Sequence, residues 1–377
     1  MNALKKTDKI LLLISIILFS TGLIMVFSAS NVAAFVRYNK NPLDFMLKQS
    51  LSLVLGIIGF LVIINFTTKS YSAVSWLMLL ISIGLILFAL FNGSLINDSK
   101  SWIYLGPLSF QPSELAKVIL IVWYSAFFEL NRKKLNKIFT NLFPIGMSCL
   151  VAALVVLQND FGTAAIIMGI SFLLYIIMPI NKSIKFRVVF ISVLIIAVVL
   201  VGYYLFDTSS FTRQISRFDF FKPCSEEKFY TTGNQVCNSY IAFNNGDLLG
   251  KGLGNSTQKY LYLPEAHTDF IFAIIIEELG FITGAAIIVL YVILLWRIIL
   301  IGKRSTSSRG SIICYGTAIY IFLHVVINLF GIMGWLPLTG VPLPFLSYGG
   351  TFTICLIASL SMVQRVAIET NFKKMEK

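Results

Sequence analysis

Leu261-Tyr-Leu-Pro-Glu-Ala-His-Thr-Asp-Phe-Ile-Phe-Ala273 leads out of a polar segment into a long apolar run, and the reading of this junction decides the fold. Pro264, Glu265, His267 and Asp269 fall within six positions, and then the charge stops until Glu277. Asp269 is the last polar residue before Phe270-Ile-Phe-Ala-Ile-Ile-Ile276, so it stands where water meets lipid. A carboxylate at that depth is costly unless it is paired or used. Two readings are open: it caps the helix that begins here, at the positive end of the dipole, or it faces a cavity.

Outward from this junction, composition sets the class. Of 377 residues 57% are hydrophobic and 12% charged, with mean hydropathy +0.84. Soluble domains carry about twice that charge. No apolar run is short or alternating enough for a porin-type barrel, so the spans are helical. The expected fold is an all-α polytopic membrane protein, residues 1–377 forming one membrane domain. Its runs lie near 10–27, 50–66, 72–91, 115–130, 139–157, 161–180, 187–206, 270–296, 311–334 and 349–364, ten in all. The first resembles a signal peptide, with Ser28-Ala-Ser30 imitating a cleavage site, but it is too long for a usual signal core.

The net charge of +13 divides by side. With the N-terminus inside, 19 of the 30 basic residues fall on inner segments, ten on outer ones, and Lys117 within a span. That is the positive-inside pattern rather than a nucleic-acid surface, and it makes both termini cytoplasmic. The bulk of the polar chain is outside, chiefly residues 207–269 between spans seven and eight. Cys224 and Cys237 lie in that loop; a disulfide and two free thiols are both open. No internal repeat of Gly/Pro-interrupted spans argues for a transporter.

Four polar constellations fall at the outer side. In Gln111-Pro-Ser-Glu-Leu-Ala-Lys117, Pro112 suits a first helical turn and Glu114 and Lys117 can pair at i, i+3. Lys117, a turn inside the membrane, either pairs there or lines a cavity. Asp160, in Gln158-Asn-Asp-Phe-Gly-Thr163, reads most simply as a helix cap. Gly250, Gly252 and Gly254 with Lys251 and Lys259 can bring N–H groups and charge to a phosphate. Glu277 and Glu278 lie about 12 Å further along the helix from Asp269. In Gly340-Val-Pro-Leu-Pro-Phe-Leu-Ser-Tyr-Gly-Gly350, Pro342 and Pro344 stiffen a loop, while Gly349 and Gly350 allow close backbone approach. His267 and His324, the two histidines, have no metal-site spacing.

Together these stretches, with Pro264-Glu-Ala-His-Thr-Asp-Phe-Ile-Phe-Ala273 and Glu277-Glu-Leu-Gly280, resemble the SEDS family of bacterial shape, elongation, division and sporulation proteins (FtsW, RodA and SpoVE) over nearly the whole chain. Tyr260-Leu-Tyr-Leu-Pro-Glu-Ala-His267 and Leu336-Pro-Leu-Thr-Gly-Val-Pro342 are nearer the FtsW branch. The resemblance implies a peptidoglycan glycosyltransferase in the bacterial cytoplasmic membrane, polymerising lipid II at the outer face for division or elongation. It implies Asp269 as general base, with Lys117, Glu114, Gln111, Lys100, Trp102, Lys251, Lys259, Glu265, His267 and Ser347 toward substrate. Asp160, Pro342, Pro344, Gly349 and Gly350 are expected to be structural. The partners implied are lipid II, glycan linked to undecaprenyl pyrophosphate, a class B penicillin-binding transpeptidase and other division or elongation proteins; no nucleic acid is expected. A divalent cation, Mg or Mn, is compatible, with no legible ligand set. Two departures from the family pattern are Phe352, where a small hydroxyl residue is common, and Lys100-Ser101, where an Arg pair is frequent. A lipid II flippase and a non-catalytic scaffold are the competing readings. The first needs ionisable residues across the membrane, and the second needs no buried carboxylate.

Overall fold

The spans form because nothing in them favours another state: long apolar runs with no water to satisfy the backbone must close their hydrogen bonds within the segment. The computed structural model describes residues 6–96, 99–106, 108–206, 222–229 and 233–375, with Thr208 and Thr212. In chain order the helices are α1 (Lys9–Val36), α2 (Asp44–Ile63), α3 (Thr68–Asn92), α4 (Pro112–Leu130), α5 (Ile138–Leu157), α6 (Phe161–Ile177) and α7 (Lys182–Phe206). After them come α8 (Glu226–Phe229), α9 (Asn234–Gly246), α10 (Ile271–Arg304), α11 (Ser308–Ile332) and α12 (Gly350–Met375). Ten of these reach 17 residues or more, one for each expected span. Seven are long and apolar enough to cross a membrane by length and composition. Of the others, α4 carries Glu114, Lys117 and Glu129, and α6 stops at 17 residues.

The chain is a multi-pass membrane protein. In α2 and α3 the inward faces carry Ser52, Gly56, Ser75 and Ser82, while Ile57, Ile58, Leu77 and Leu80 point outward. Small residues inside let helices approach; large ones outside meet lipid tails. The most enclosed helix is α4, buried along almost its whole length and packed by α3, α11 and α12. Ser28-Ala-Ser30, the imitation cleavage site, is a buried part of α1. At the basic end Asp8 caps α1, its carboxylate 2.7 Å from Arg297 Nη2, and its main chain bonds Gln364 of α12. Both described chain ends therefore share one face of the helix bundle.

Two features depart from the expected all-helical layout. Residues 92–112 hold a small antiparallel sheet, β1 (Ser94–Ile96), β2 (Ser99–Leu105) and β3 (Leu108–Phe110), with Ile103 opposite Phe110. The run expected at 270–296 is also not one helix. Gly280 sits at φ 81, ψ 168, so α10 is a short buried segment, residues 271–279, followed by a separate span. The positive φ is open to glycine alone without strain, and the break leaves carbonyls without helical partners. The outer loop takes them up: Lys251 N–H donates to Glu277 O and Gly252 N–H to Glu278 O, each at 2.9 Å. Phe281 N–H donates in turn to Asp247 O at 2.9 Å.

Cys224 and Cys237 are disulfide-bonded, with Cα atoms 5.1 Å apart, tying the approach to α8 onto α9. From α9, Ser239 and Tyr240 hydroxyls donate to the carbonyls of Ile332 and Met333 at 2.7 and 2.8 Å. The outer loop is thereby fastened to the outer end of α11.

Candidate functional site

Asp269 does not cap a helix. Phe270 occupies the N-cap position of α10 and no side chain bonds the free N–H groups there. Turns set by Leu261 and Glu265, both at positive φ (69° and 57°), lift the segment so that Phe270 N–H returns to Glu265 O at 3.3 Å. The Asp269 main chain is held from α11, where Asn328 Nδ2 donates to its carbonyl at 2.8 Å. The same amide nitrogen donates to Val341 O at 2.8 Å, binding the loop before α12 to this strand of chain. Among the described residues the half-buried Asp269 carboxylate has no hydrogen-bond partner. It faces Gly340, where a Cβ would come within 3.6 Å of Oδ2. Removal from water, reinforced by the negative charge of Glu265, pushes this carboxyl up to about 7.

His267 is buried against Phe45 and Tyr348, with ring centroids 4.5 and 5.7 Å away. Burial lowers it to about 4, so near neutral pH it is an uncharged wall. Glu265 lies 3.9 Å from Arg37 Nη1 at the end of α1. A cavity of about 240 Å³ opens here, lined by Ala33, Arg37, Tyr38, Leu261, Glu265 and His267 among others.

Glu114 and Lys117 pair as their spacing suggests, Nζ donating to Oε1 at 2.8 Å. The lysine also reaches His324 Nε2 at 3.0 Å, and His324 Nδ1 lies 3.2 Å from Pro342 O. An ammonium only donates, so Nε2 accepts and Nδ1–H donates to the carbonyl. Phe352, the departure from the family pattern, stacks on this imidazole at 4.7 Å. Of the two readings open for Lys117, the structure shows the pairing: its side chain is 0% exposed and its charge is matched by Glu114.

The lysines read as a phosphate clamp are both placed beside carboxylates. Lys259 Nζ donates to Glu278 at 3.0 Å and to Gly254 O at 2.6 Å, and Lys251 lies 3.6 Å from Glu277. Glu277 additionally accepts from Asn245, Ser256 and Thr257, and Glu278 from Ser28. The glycine loop closes the broken end of residues 271–279, as the geometry at Gly280 requires. Ser347, expected at substrate, instead makes a turn: its hydroxyl donates to Thr268 O at 2.6 Å and accepts from Leu343 N–H at 2.8 Å.

Asp160 caps α6, accepting from Thr163 N–H at 3.0 Å, and Gln111 Nε2 donates to its other oxygen at 2.8 Å. Lys100 is exposed on β2, with Trp102 half-buried beside it. Pro344 O accepts from the Tyr291 hydroxyl, Gly349 N–H donates to Gln49 at 3.1 Å, and Gly350 begins α12 beside Ser52. The fourth stretch thus holds the loop that covers Asp269. Sequence reading missed Asn328, Gln49 and Arg37, and passed over His324. Asn328 and His324 at i, i+4 within an apolar span were the available signal. Among the described residues no group of three or more His, Cys, Asp or Glu is placed to hold a metal ion.

Comparison with known proteins matches residues 8–372 to the FtsW/RodA/SpoVE family, described as cell cycle protein. A probable peptidoglycan glycosyltransferase FtsW of Nitrosococcus halophilus is 32% identical across 98% of this chain and 94% of its own. The protein of the same description from Bacillus subtilis is 30% identical across 99% and 94%. Among solved structures, a chain from a peptidoglycan synthase complex coordinating polymerization and crosslinking superposes with TM-score 0.74 at 21% identity, covering 97% of this chain and 98% of that one. The rod shape determining protein RodA of Thermus thermophilus gives 0.66 at 22%, with 96% of each covered.

Proposed function

The chain belongs to the FtsW/RodA/SpoVE family of cell cycle proteins, and on that premise we propose that Asp269 is the general base of its reaction. The protein is a peptidoglycan glycosyltransferase of the bacterial cell membrane that polymerises lipid II into glycan strands at the outer face. Asp269 takes the proton of the acceptor sugar's 4-hydroxyl as that oxygen attacks the anomeric carbon of the donor. The bond from that carbon to the prenyl diphosphate breaks, the diphosphate leaves with the electron pair, and the carbon inverts. A base works best with a pKa near the working pH. The observation that carries the assignment is a half-buried carboxyl raised to about 7, with no cap to make and no partner among the described residues.

The test is polymerisation of labelled lipid II by the purified full chain with its partner, wild type against Asp269→Asn at equal folded amounts. Loss of about 10²–10⁴-fold is expected for a removed general base. Unchanged polymer returns Asp269 to a structural role. The partner in this reading is a class B penicillin-binding transpeptidase, and division is the process served. The fold shared with a chain of a polymerising and crosslinking complex supports the first, and the FtsW relatives support the second. A flippase needs a polar route to the inner side. The buried pairs Glu114–Lys117 and Glu278–Lys259, and the buried Glu277 beside the exposed Lys251, all lie toward the outer end, which favours the transferase.

A further inference from the structure

A reaction that releases a diphosphate beside a carboxylate base needs a positive group close by, and the structure removes the obvious candidates. Lys117 is matched by Glu114, Lys259 by Glu278 and Lys251 by Glu277, at 2.8, 3.0 and 3.6 Å. Lys48 donates to Asp44 at 2.8 Å, and Lys40 lies 3.9 Å from the same carboxylate. Arg37 differs. Its guanidinium is half exposed on the wall of a cavity and makes no hydrogen bond to any described residue; its carboxylate partner, Glu265, is 3.9 Å away, an ion pair without a hydrogen bond.

The position of Arg37 is built rather than incidental. α1 ends there, Arg37 and Tyr38 N–H groups both returning to Ala33 O at 3.0 and 3.2 Å. Asn39 at φ 49 then turns the chain away. Arg37 and Tyr38 are thus left on the wall of the 240 Å³ cavity that Glu265 and His267 also line. Ala33, Leu261, Leu263 and Pro264 complete an apolar side, and Lys259, its Nζ held by Glu278, also lines the space. Such a space takes a compact anion on an apolar stem, and a planar guanidinium offers paired donors matched to phosphate oxygens.

We propose that Arg37 is the anion-binding residue of this site, receiving the diphosphate of a prenyl-linked substrate in the cavity between the end of α1 and residues 261–267. The assignment rests on the glycosyltransferase reading for its ligand class. Glu265 holds the guanidinium in place while the cavity is empty and competes with the incoming anion.

Binding of undecaprenyl diphosphate to the full chain in detergent tests this. The chain carries Asp269→Asn throughout, so that no turnover enters the readout. Arg37→Ala is expected to weaken binding by about tenfold to a hundredfold, the range for charge-assisted hydrogen bonds, with Arg37→Lys between it and the parent. Lys40→Ala, altering a neighbouring cation paired to Asp44, leaves binding unchanged. Glu265→Gln tightens it, because the competing carboxylate is neutralised; a merely structural ion pair predicts no tightening. Phosphatidylglycerol vesicles form the second arm. Equal losses for vesicles and for the prenyl diphosphate would identify a general anionic-surface contact and overturn the proposal, as would parental affinity in Arg37→Ala. If Arg37→Ala fails to fold, Glu265→Gln decides: tighter binding supports the assignment, unchanged or weaker binding overturns it. Should Asp269→Asn itself polymerise lipid II, the base assignment falls while the Arg37 result stands separately.

Discussion

Asn328 Nδ2 donates at once to the carbonyl of Asp269 and to that of Val341, each at 2.8 Å. One amide on a membrane helix thereby sets where the candidate base stands relative to the loop that covers it. Asn328→Leu keeps the volume and removes both bonds, leaving two carbonyls without that partner at about 1–3 kcal/mol each. The expected result is a fall in kcat with KM changed little, alongside a lowered melting temperature in detergent. Equal kcat in a folded variant would detach Asn328 from positioning.

Activity is expected to rise with pH through about 7, because Asp269 must be ionised to accept a proton and its carboxyl is raised there. Since Glu265 contributes to that rise, Glu265→Gln should move the acidic limb to lower pH. Stability runs the other way. A carboxyl raised from 3.8 to about 7 binds more protons folded than unfolded between those values, so its contribution is lost as pH climbs through that window. Asp269→Asn should flatten this part of the stability profile, measured by thermal unfolding across pH.

Lys259 and Glu278 are 2% and 0% exposed and 3.0 Å apart, so breaking the pair from one side leaves a buried charge. Lys259→Met is expected to cost about 3–5 kcal/mol, whereas Lys259→Met with Glu278→Leu should recover part of that loss. A double-mutant cycle on detergent stability reads the difference.

Gly280→Ala puts a Cβ at φ 81 and into the Leu248 carbonyl oxygen. The break in α10 cannot then keep its form, and yield of folded protein and polymerisation should fall together. Gly59→Ala, where a Cβ meets nothing within 4 Å, serves as the control.

The Cys224–Cys237 bond closes a separation of 13 residues, worth about 3 kcal/mol in the chain-entropy account. Cys224→Ser, or reductant on the parent, should speed proteolysis of the outer loop; because α9 is fastened to α11, activity should fall as well. Protease sensitivity followed by mass spectrometry checks the first effect and polymerisation the second.

The multi-pass helical class and the ten long helices were legible in the chain, because each follows from local composition. Apolar length decides a span, Lys and Arg decide its side, and capping residues such as Asp160 announce themselves within three positions. The small sheet of residues 94–110 carried no such pattern, since two of its three strands have only three residues, too short for an alternation to register. What only the tertiary structure decided is which charges remain available. Lys259 meets a carboxylate 19 positions away, Lys117 a histidine 207 away, and Asp269 is held by an amide 59 away. Pairing at such separations depends on how the helices pack, and sequence spacing does not encode it. The glycines and lysines read as a phosphate clamp close a helix break, and Arg37, whose guanidinium makes no hydrogen bond to a described residue, stands at the end of α1.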